Sequence, residues 1–380
     1  MKFSISKDSL LQAVQDVAKA VATKSTIPIL ENIKIDVHND VIQMTGTNME
    51  IGIEYTIPKE INNEINFTVE QTGTICLKAR YFHEIIRKLS HEIVEIEVTN
   101  NYLTNIKSGN SEFNIHGLDS DEFPKLPKIV EDKVFSIPSD LLRNIIRQTV
   151  LAVSIEETRP VLTGVKWSLE SGTLSFIATD SHRLAMREVA VEVEPALSFQ
   201  NVIVPGKSLI ELSKILEEND SSVDVAVTGN QIFVKTSNIL FYSRLLEGQY
   251  PDVTRILQQQ PKTRLEINRK EFSDSLERAS LIARENKNNE VKLSIKEAAI
   301  VISSNSPDIG KVNETLDAIA VEGEDLLIAF NTKYVSDVLR VIDESEIEIQ
   351  FTGSMSPFII KPKNFDKYSY LVLPIRIYQG

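Results

Sequence analysis

From Phe3 the chain alternates apolar and polar residues through Ile5, then places Leu10, Leu11, Val14, Val17, Ala18 and Val21 at helical spacing. Period-two alternation predicts a strand with one buried face, and the 3.6-residue stripe predicts an amphipathic helix. The same passage from strand to helix returns from Phe135 to Leu142 and, more weakly, from Leu265 to Phe272. Ser6, Pro138 and Asn268 sit at the junctions, and Val14, Ile146 and Leu276 stand in register on the helices. Offsets of 132 and 130 residues mark an internal repeat. A second strand-to-helix passage recurs inside each unit, with Cys76–Phe82, Ile203–Leu209 and Ala329–Val335 aligned and stripes continuing through Ile85, Leu212 and Val338. Alternating strands follow at Val94/Ile96/Val98, Val223/Val225/Val227 and Ile347/Ile349/Phe351. Gly109-Asn110, Gly229-Asn230 and Gly353-Ser354 then predict hairpins.

Each unit therefore reads β-α-β-β-β twice, an α+β arrangement of helices on antiparallel sheet. Aromatic-proline pairs in polar surroundings, Phe123-Pro124 and Tyr250-Pro251, mark the unit ends and predict three domains at residues 1–128, 129–253 and 254–380. A length of 380 residues fits that number.

Charge changes the picture next. Lys and Arg number 41 against 54 Asp and Glu, a net −13, which argues against a chain coated in nucleic acid or anionic lipid but leaves room for a locally basic face. At 42% hydrophobic and 25% charged, the composition is that of a soluble globular protein. There is no 18-residue apolar run to span a bilayer, and the first ten residues hold no secretory-signal core. Cys76 is the single cysteine and cannot form an internal disulfide, so a reducing cytoplasm is expected. His38, His83, His91, His116 and His182 are scattered, with no HExxH or paired-Cys spacing, so neither a metal nor a cofactor is expected. The glycine-rich nucleotide signatures and GxSxG are absent too, which lowers the case for an enzyme.

The basic residues carry more information. Arg80, Lys207 and Lys333 occupy one aligned position on the second helix of each unit, and Arg87, Lys214 and Arg340 the position seven residues on. Two helical turns put both members of a pair on one face, ~10 Å apart along the axis. Arg143 and Arg147 add an i,i+4 pair on the middle unit's first helix. For a single helix this would be an ordinary solvated face. Its repetition in three units of an acidic protein points to phosphate contact without base reading.

The segments Thr26-Ile27-Pro28-Ile29-Leu30, Ala178 to Leu184, Val202 to Pro205, Tyr250-Pro251-Asp252 and Leu373 to Arg376, in that order, resemble the bacterial DNA polymerase sliding clamps, the beta subunit of the replicative DNA polymerase III holoenzyme. The resemblance runs from Met1 to about Ile377. Ser181 departs from it, standing where family members often have Gly, and Tyr378–Gly380 prolongs the usual terminus. It implies a non-catalytic processivity subunit of the bacterial cytoplasm, associated with the nucleoid during replication. It also implies a head-to-tail homodimeric ring around duplex DNA, helices lining the bore and sheets outside, binding without sequence specificity. Clamp loader, polymerase and repair proteins would be held through short Gln-Leu-x-Leu-Phe-like peptides. By position, the resemblance adds Lys24 to a DNA-facing set of Arg80, Arg87, Arg143, Arg147, Lys207, Lys214, Lys333 and Arg340. It sets Phe113 and Ile115 against Arg278, Leu281 and Ile282 of a partner. The peptide cleft it implies is walled by Leu162, Thr179, Ser181, His182, Arg183, Leu184, Pro251, Arg255 and Ile256, with Asn331, Tyr334, Met355, Pro357, Leu371, Leu373, Pro374, Ile375 and Arg376. Aliphatic and Met side chains suit an adaptable greasy pocket, with Arg, His and Asn to fix a peptide backbone.

Two other readings are open to the residues. Asp180 and His182 could form an acid-base pair, but no nucleophile motif accompanies them, and Thr47-Asn48 and Ser304-Asn305 occupy the aligned places, so a polar turn explains Thr179-Asp180 more simply. A repeat scaffold that binds proteins and never touches DNA would explain the repeats and the acidity, but not the basic pairs in register.

Overall fold

The computed structural model describes residues 1–61, 64–127, 134–216, 221–253, 256, 260–285, 288–365 and 367–376. Among these are six α-helices: α1 Lys7–Ala18, α2 Ala79–Lys88, α3 Ser139–Val150, α4 Gly206–Ser213, α5 Arg269–Ala283 and α6 Thr332–Leu339. Each follows directly on a strand, and the alternating positions that lead into them are buried: Phe3 and Ile5, Phe135 and Ile137, Leu265 and Ile267. α1 turns Leu10, Ala13, Val14 and Val17 inward. α2 buries Ala79, Phe82 and Ile86, which leaves Ile85, expected in the stripe, only half-buried.

Two compact units result, Met1–Asp140 with Glu211–Leu245 and Leu141–Ile210 with Leu246–Gly380. They cut across the three repeats because the sheets do not stop at repeat boundaries. In the first unit an eight-stranded sheet joins the first repeat to the middle one by pairing Ile51–Pro58 antiparallel with Ile239–Arg244, Ile53 opposite Phe241. In the second unit a nine-stranded sheet joins the middle repeat to the last in the same way, pairing Arg183–Ala190 with Tyr368–Val372, Ala185 opposite Tyr370. The rule is that the strand closing one repeat's first half pairs with the last strand of the next repeat. It leaves two such strands at sheet edges: Ser111–His116, at the edge of the first unit's five-stranded sheet, and Gly310–Leu316, at the edge of the second unit's four-stranded sheet.

Two expectations need correction. The outer repeats carry a strand beyond the β-α-β-β-β pattern, Phe67–Gln71 and Ala320–Gly323, each laid along the opening strand of its own repeat. In the middle repeat the corresponding stretch holds Pro195 in a turn, and proline has no N–H to give to a ladder. Gly353-Ser354 does not form a two-residue hairpin but belongs to a longer connection, residues 352–357, whereas Gly109-Asn110 and Gly229-Asn230 do sit in tight turns between strands. The expected boundary after residue 128 lies outside the described residues, as does residue 254 beside the second boundary. Among the described residues no helix is long and apolar enough to cross a membrane.

Candidate functional site

Thr173–Thr179 and Arg183–Ala190 are joined by a turn that Thr179 and Asp180 build from their own side chains. Thr179 Oγ1 donates to the Arg183 carbonyl at 2.7 Å, and Asp180 Oδ1 accepts the backbone N–H of His182 at 2.9 Å and of Arg183 at 3.0 Å. The first repeat makes the same turn. Thr47 Oγ1 donates to the Ile51 carbonyl at 2.7 Å, and Asn48 Oδ1 accepts from Glu50 and Ile51 at 3.0 and 2.9 Å. Ser181 and Met49 take matching backbone angles, φ +76° and +75°, the left-handed region where glycine is at ease. The Asp180 carboxylate is thus engaged with backbone and, through Oδ2, with Arg183 Nε at 3.1 Å. The His182 ring is stacked on Tyr334, centroids 6.2 Å apart. Both side chains are thus used to build a turn and a wall.

Beside the turn opens a cavity of about 750 Å³. Of the expected wall, Leu162, Leu184, Leu371, Leu373, Pro251 and Ile256 supply its apolar lining, and Thr179, Ser181, His182 and Arg183 its polar edge. Leu184, Val253 and Leu371 pack as one buried cluster beneath it. The Leu373 N–H donates to the His182 carbonyl at 2.9 Å, tying the terminal segment to the turn. Tyr334 lies one layer out, under the Arg183 guanidinium at 4.7 Å from its ring centre.

The remaining expected residues that the structure describes do not line this cavity. Asn331 caps α6, its Oδ1 accepting from Lys333 N–H at 2.9 Å, and Ile375 N–H donates to the Ala329 carbonyl at 2.7 Å, with Pro374 and Arg376 on either side. Met355 is exposed and Pro357 half-buried in the 352–357 connection. Arg255 lies outside the described residues. Arg159, Val161, Gln249, Tyr250, Asp252 and Val253 line the cavity without having been expected there. Tyr250 is central: its phenolic oxygen accepts the Thr179 N–H at 3.0 Å, and burial holds its ionisation well above the usual range. In the sequence the Tyr-Pro-Asp segment signals a domain end and a family motif, and nothing in it marks a cavity wall.

Lys24, Arg80, Arg87, Lys207, Lys214, Lys333 and Arg340 are all exposed, and Arg143 and Arg147 are half-buried. Lys214 sits in the turn after α4 and Arg340 is the C-cap of α6, so only on α2 does the pair lie wholly within the helix. The α4 end tightens by i→i−3 bonds, Lys214 N–H to Glu211 O and Ile215 N–H to Leu212 O, which stops the helix one residue short. Arg147 is committed to Asp343, at 2.6 Å. A further pattern accompanies the second basic position: an acid stands three residues before it in every repeat. Arg87 bonds Glu84 at 2.8 Å, Lys214 bonds Glu211 at 2.8 Å, and Arg340 approaches Asp337 at 3.5 Å. The Arg87 hydrogen bond holds the Glu84 carboxyl below the ordinary carboxylate range.

On Ser111–His116 Phe113 is exposed and Ile115 half-buried, and at the end of α5 Leu281 is exposed and Ile282 half-buried. Arg278 grips Glu314 on Gly310–Leu316 with two bonds of 2.7 and 2.6 Å. Among the described residues no group of His, Cys, Asp or Glu is arranged to hold a metal ion.

Three family models match in sequence order: the DNA polymerase III beta subunit N-terminal domain over residues 1–127, its central domain over 136–252 and its C-terminal domain over 254–376. The chain belongs to the bacterial beta sliding clamp family. It is 52% identical over 379 residues to the beta sliding clamp of Bacillus subtilis, covering 100% of both chains, and 44% identical over 378 residues to that of Staphylococcus aureus, again covering 100% of both. Among solved structures it matches the DNA polymerase sliding clamp from Bacillus subtilis with a TM-score of 0.96 over 100% of each chain. It also matches a Pseudomonas aeruginosa sliding clamp bound to griselimycin, with a TM-score of 0.92 at 27% identity, over 99% of this chain and 100% of the other. Three tandem clamp domains of mixed α+β structure are thus its architecture.

Proposed function

We propose that the chain is a DNA sliding clamp: two copies close head to tail into a ring around duplex DNA, and the ring tethers the replicative polymerase and other replication and repair proteins. The observation that carries this reading is the pair of leftover sheet edges. Both internal joints pair the strand that closes a first half with the last strand of the next repeat. Gly310–Leu316 and Ser111–His116 are the same two kinds of strand, each at a sheet edge and paired on one side only. A second copy supplies each with what it lacks, and a heterologous contact that closes after two copies gives a ring, not a filament. Phe113, Ile115, Arg278, Leu281 and Ile282 stand at or beside those edges. Domains at 1–128, 129–253 and 254–380 are the units so joined.

Exposed basic residues repeated in register suit contact with phosphates and carry no base-reading set. The cavity's size and its apolar walls with a few polar edge groups suit a short peptide segment. A Gln-Leu-x-Leu-Phe-like segment from the clamp loader, polymerase or a repair protein would bind at about micromolar strength, roughly −8 kcal/mol, weak enough for clients to exchange. Catalysis would belong to the polymerase that the ring holds, and the site of work is the cytoplasm. The test is topological: after loading, the chain is retained on nicked circular DNA and lost on linearisation. Equal retention on both forms, or none on either, overturns the clamp reading and leaves a protein scaffold.

A further inference from the structure

We propose that Asp337 is a positioning residue for peptide capture and that its carboxylate, shared between a cleft arginine and a basic-row arginine, makes the two sites respond to each other; this rests on the peptide-cleft reading above. Asp337 lies on α6 between Tyr334 and Arg340, one turn from each. Its Oδ2 accepts from Arg183 Nη1 at 2.8 Å, and its Oδ1 from Arg340 Nη1 at 3.5 Å. Arg183 is the buried member, with a side chain 11% exposed, whereas that of Arg340 is 65% exposed. Asp180 and the Tyr334 ring hold the rest of the Arg183 guanidinium. A charge so nearly buried needs its partners, and loss of one frees the side chain that forms the polar edge of the cavity.

The acids at the aligned positions, Glu84 and Glu211, pair with the cation of their own helix end. Asp337 does so too but also reaches Arg183, so the third repeat has turned a local pair into a bridge. With Arg340 on Oδ1, Arg183 is held through Oδ2 alone and lacks the bidentate pairing that arginine and carboxylate favour. When Arg340 turns to an anion, or loses its charge, both oxygens of Asp337 become available to Arg183, which is then held more firmly against Tyr334. Peptide affinity rises in consequence.

The test uses the full-length chain and a fluorescein-labelled peptide carrying Gln-Leu-Ser-Leu-Phe, read by anisotropy. Asp337→Asn is expected to weaken binding about tenfold, with Asp337→Glu recovering most of the loss. Arg340→Gln is expected to tighten binding about twofold, and the combination Asp337→Asn with Arg340→Gln to bind no better than Asp337→Asn alone. A purely structural role for Asp337 would not give the gain from Arg340→Gln or its disappearance in the double variant. Equal effects of Arg340→Gln in both backgrounds, or wild-type affinity in Asp337→Asn, overturn the proposal. A wild-type chain that does not bind the peptide overturns the cleft reading itself and this inference with it.

Discussion

Replacing Leu281 and Ile282 with aspartate should split the ring into folded monomers. Leu281 is 64% exposed in the single chain, so roughly two-thirds of its side chain remains to be covered by a partner. Full burial of a leucine is worth about 1.5–3 kcal/mol, which gives roughly 1–2 kcal/mol at one contact. A closed head-to-tail dimer makes that contact twice, so Leu281→Ala alone should weaken association by roughly 2–4 kcal/mol, about 30- to 1000-fold in the dissociation constant. The aspartate pair adds carboxylates where water is excluded, and the loss grows by a further few kcal/mol. The monomer should keep its fold, because the inward face of α5 is Phe272, Ser275, Leu276, Ala279, Ser280 and Ala283. Sedimentation velocity from micromolar down to nanomolar concentration reads the outcome, and circular dichroism confirms the helices. Ile27→Asp is the control, since Ile27 is 51% exposed and lies on neither free edge. A double variant that sediments as a dimer throughout that range would remove the end of α5 from ring closure.

Deleting Leu373 to Gly380 removes a wall of the cavity and the bonds to His182 and Ala329, so peptide binding should be abolished while sedimentation stays that of a dimer; undiminished affinity would refute the site. Reversing Lys207 and Lys214 to glutamate should shorten residence on circular DNA, more at low salt than at high, and unchanged retention at every ionic strength would refute phosphate contact. Burial pushes the Cys76 thiol up to about 12 and raises the phenols of Tyr250, Tyr368 and Tyr370. These groups stay protonated in the folded chain after they would ionise in the unfolded one, so the unfolded state binds fewer protons as pH rises through the range above about 9. The urea midpoint should hold level below that range and fall above it, and a midpoint flat to about pH 11 would contradict the burial argument. In the same experiment Cys76 should resist alkylation until the chain unfolds.

What alternates or recurs locally was legible in the sequence. The opening strands, the helices that follow them and the repeat period all appear, because a buried face writes itself into neighbouring residues. Pairing partners were not legible: Ile51–Pro58 and Ile239–Arg244 are far apart in the chain, and alternation identifies a strand without naming its neighbour. Phe67–Gln71 and Ala320–Gly323 leave no such mark, being edge strands with little burial pattern of their own. Phe82, Leu209 and Val335 are buried in register, but at the next turn α2 turns Ile86 inward where the other two helices turn Leu212 and Val338, so alignment alone did not give its inward face. The cleft came from resemblance more than from residue chemistry, which is why its turn was anticipated but Arg159, Val161 and Gln249 were not. Glu84, Glu211 and Asp337 stand in plain register three residues before the second basic position, a signal the sequence does carry.

The acid beside each second basic residue has a consequence for motion. Arg87, Lys214 and Arg340 arrive at any polyanion already accompanied by a fixed counterion from the same helix end. Meeting a phosphate would then be an exchange of one ionic partner for another, with little net gain at any single nucleotide. A surface built on exchange offers a shallow and nearly uniform well at every position along a duplex. In the ring proposed above, that uniformity would act as low friction: the contacts would keep the duplex centred without giving the ring a preferred place to stop.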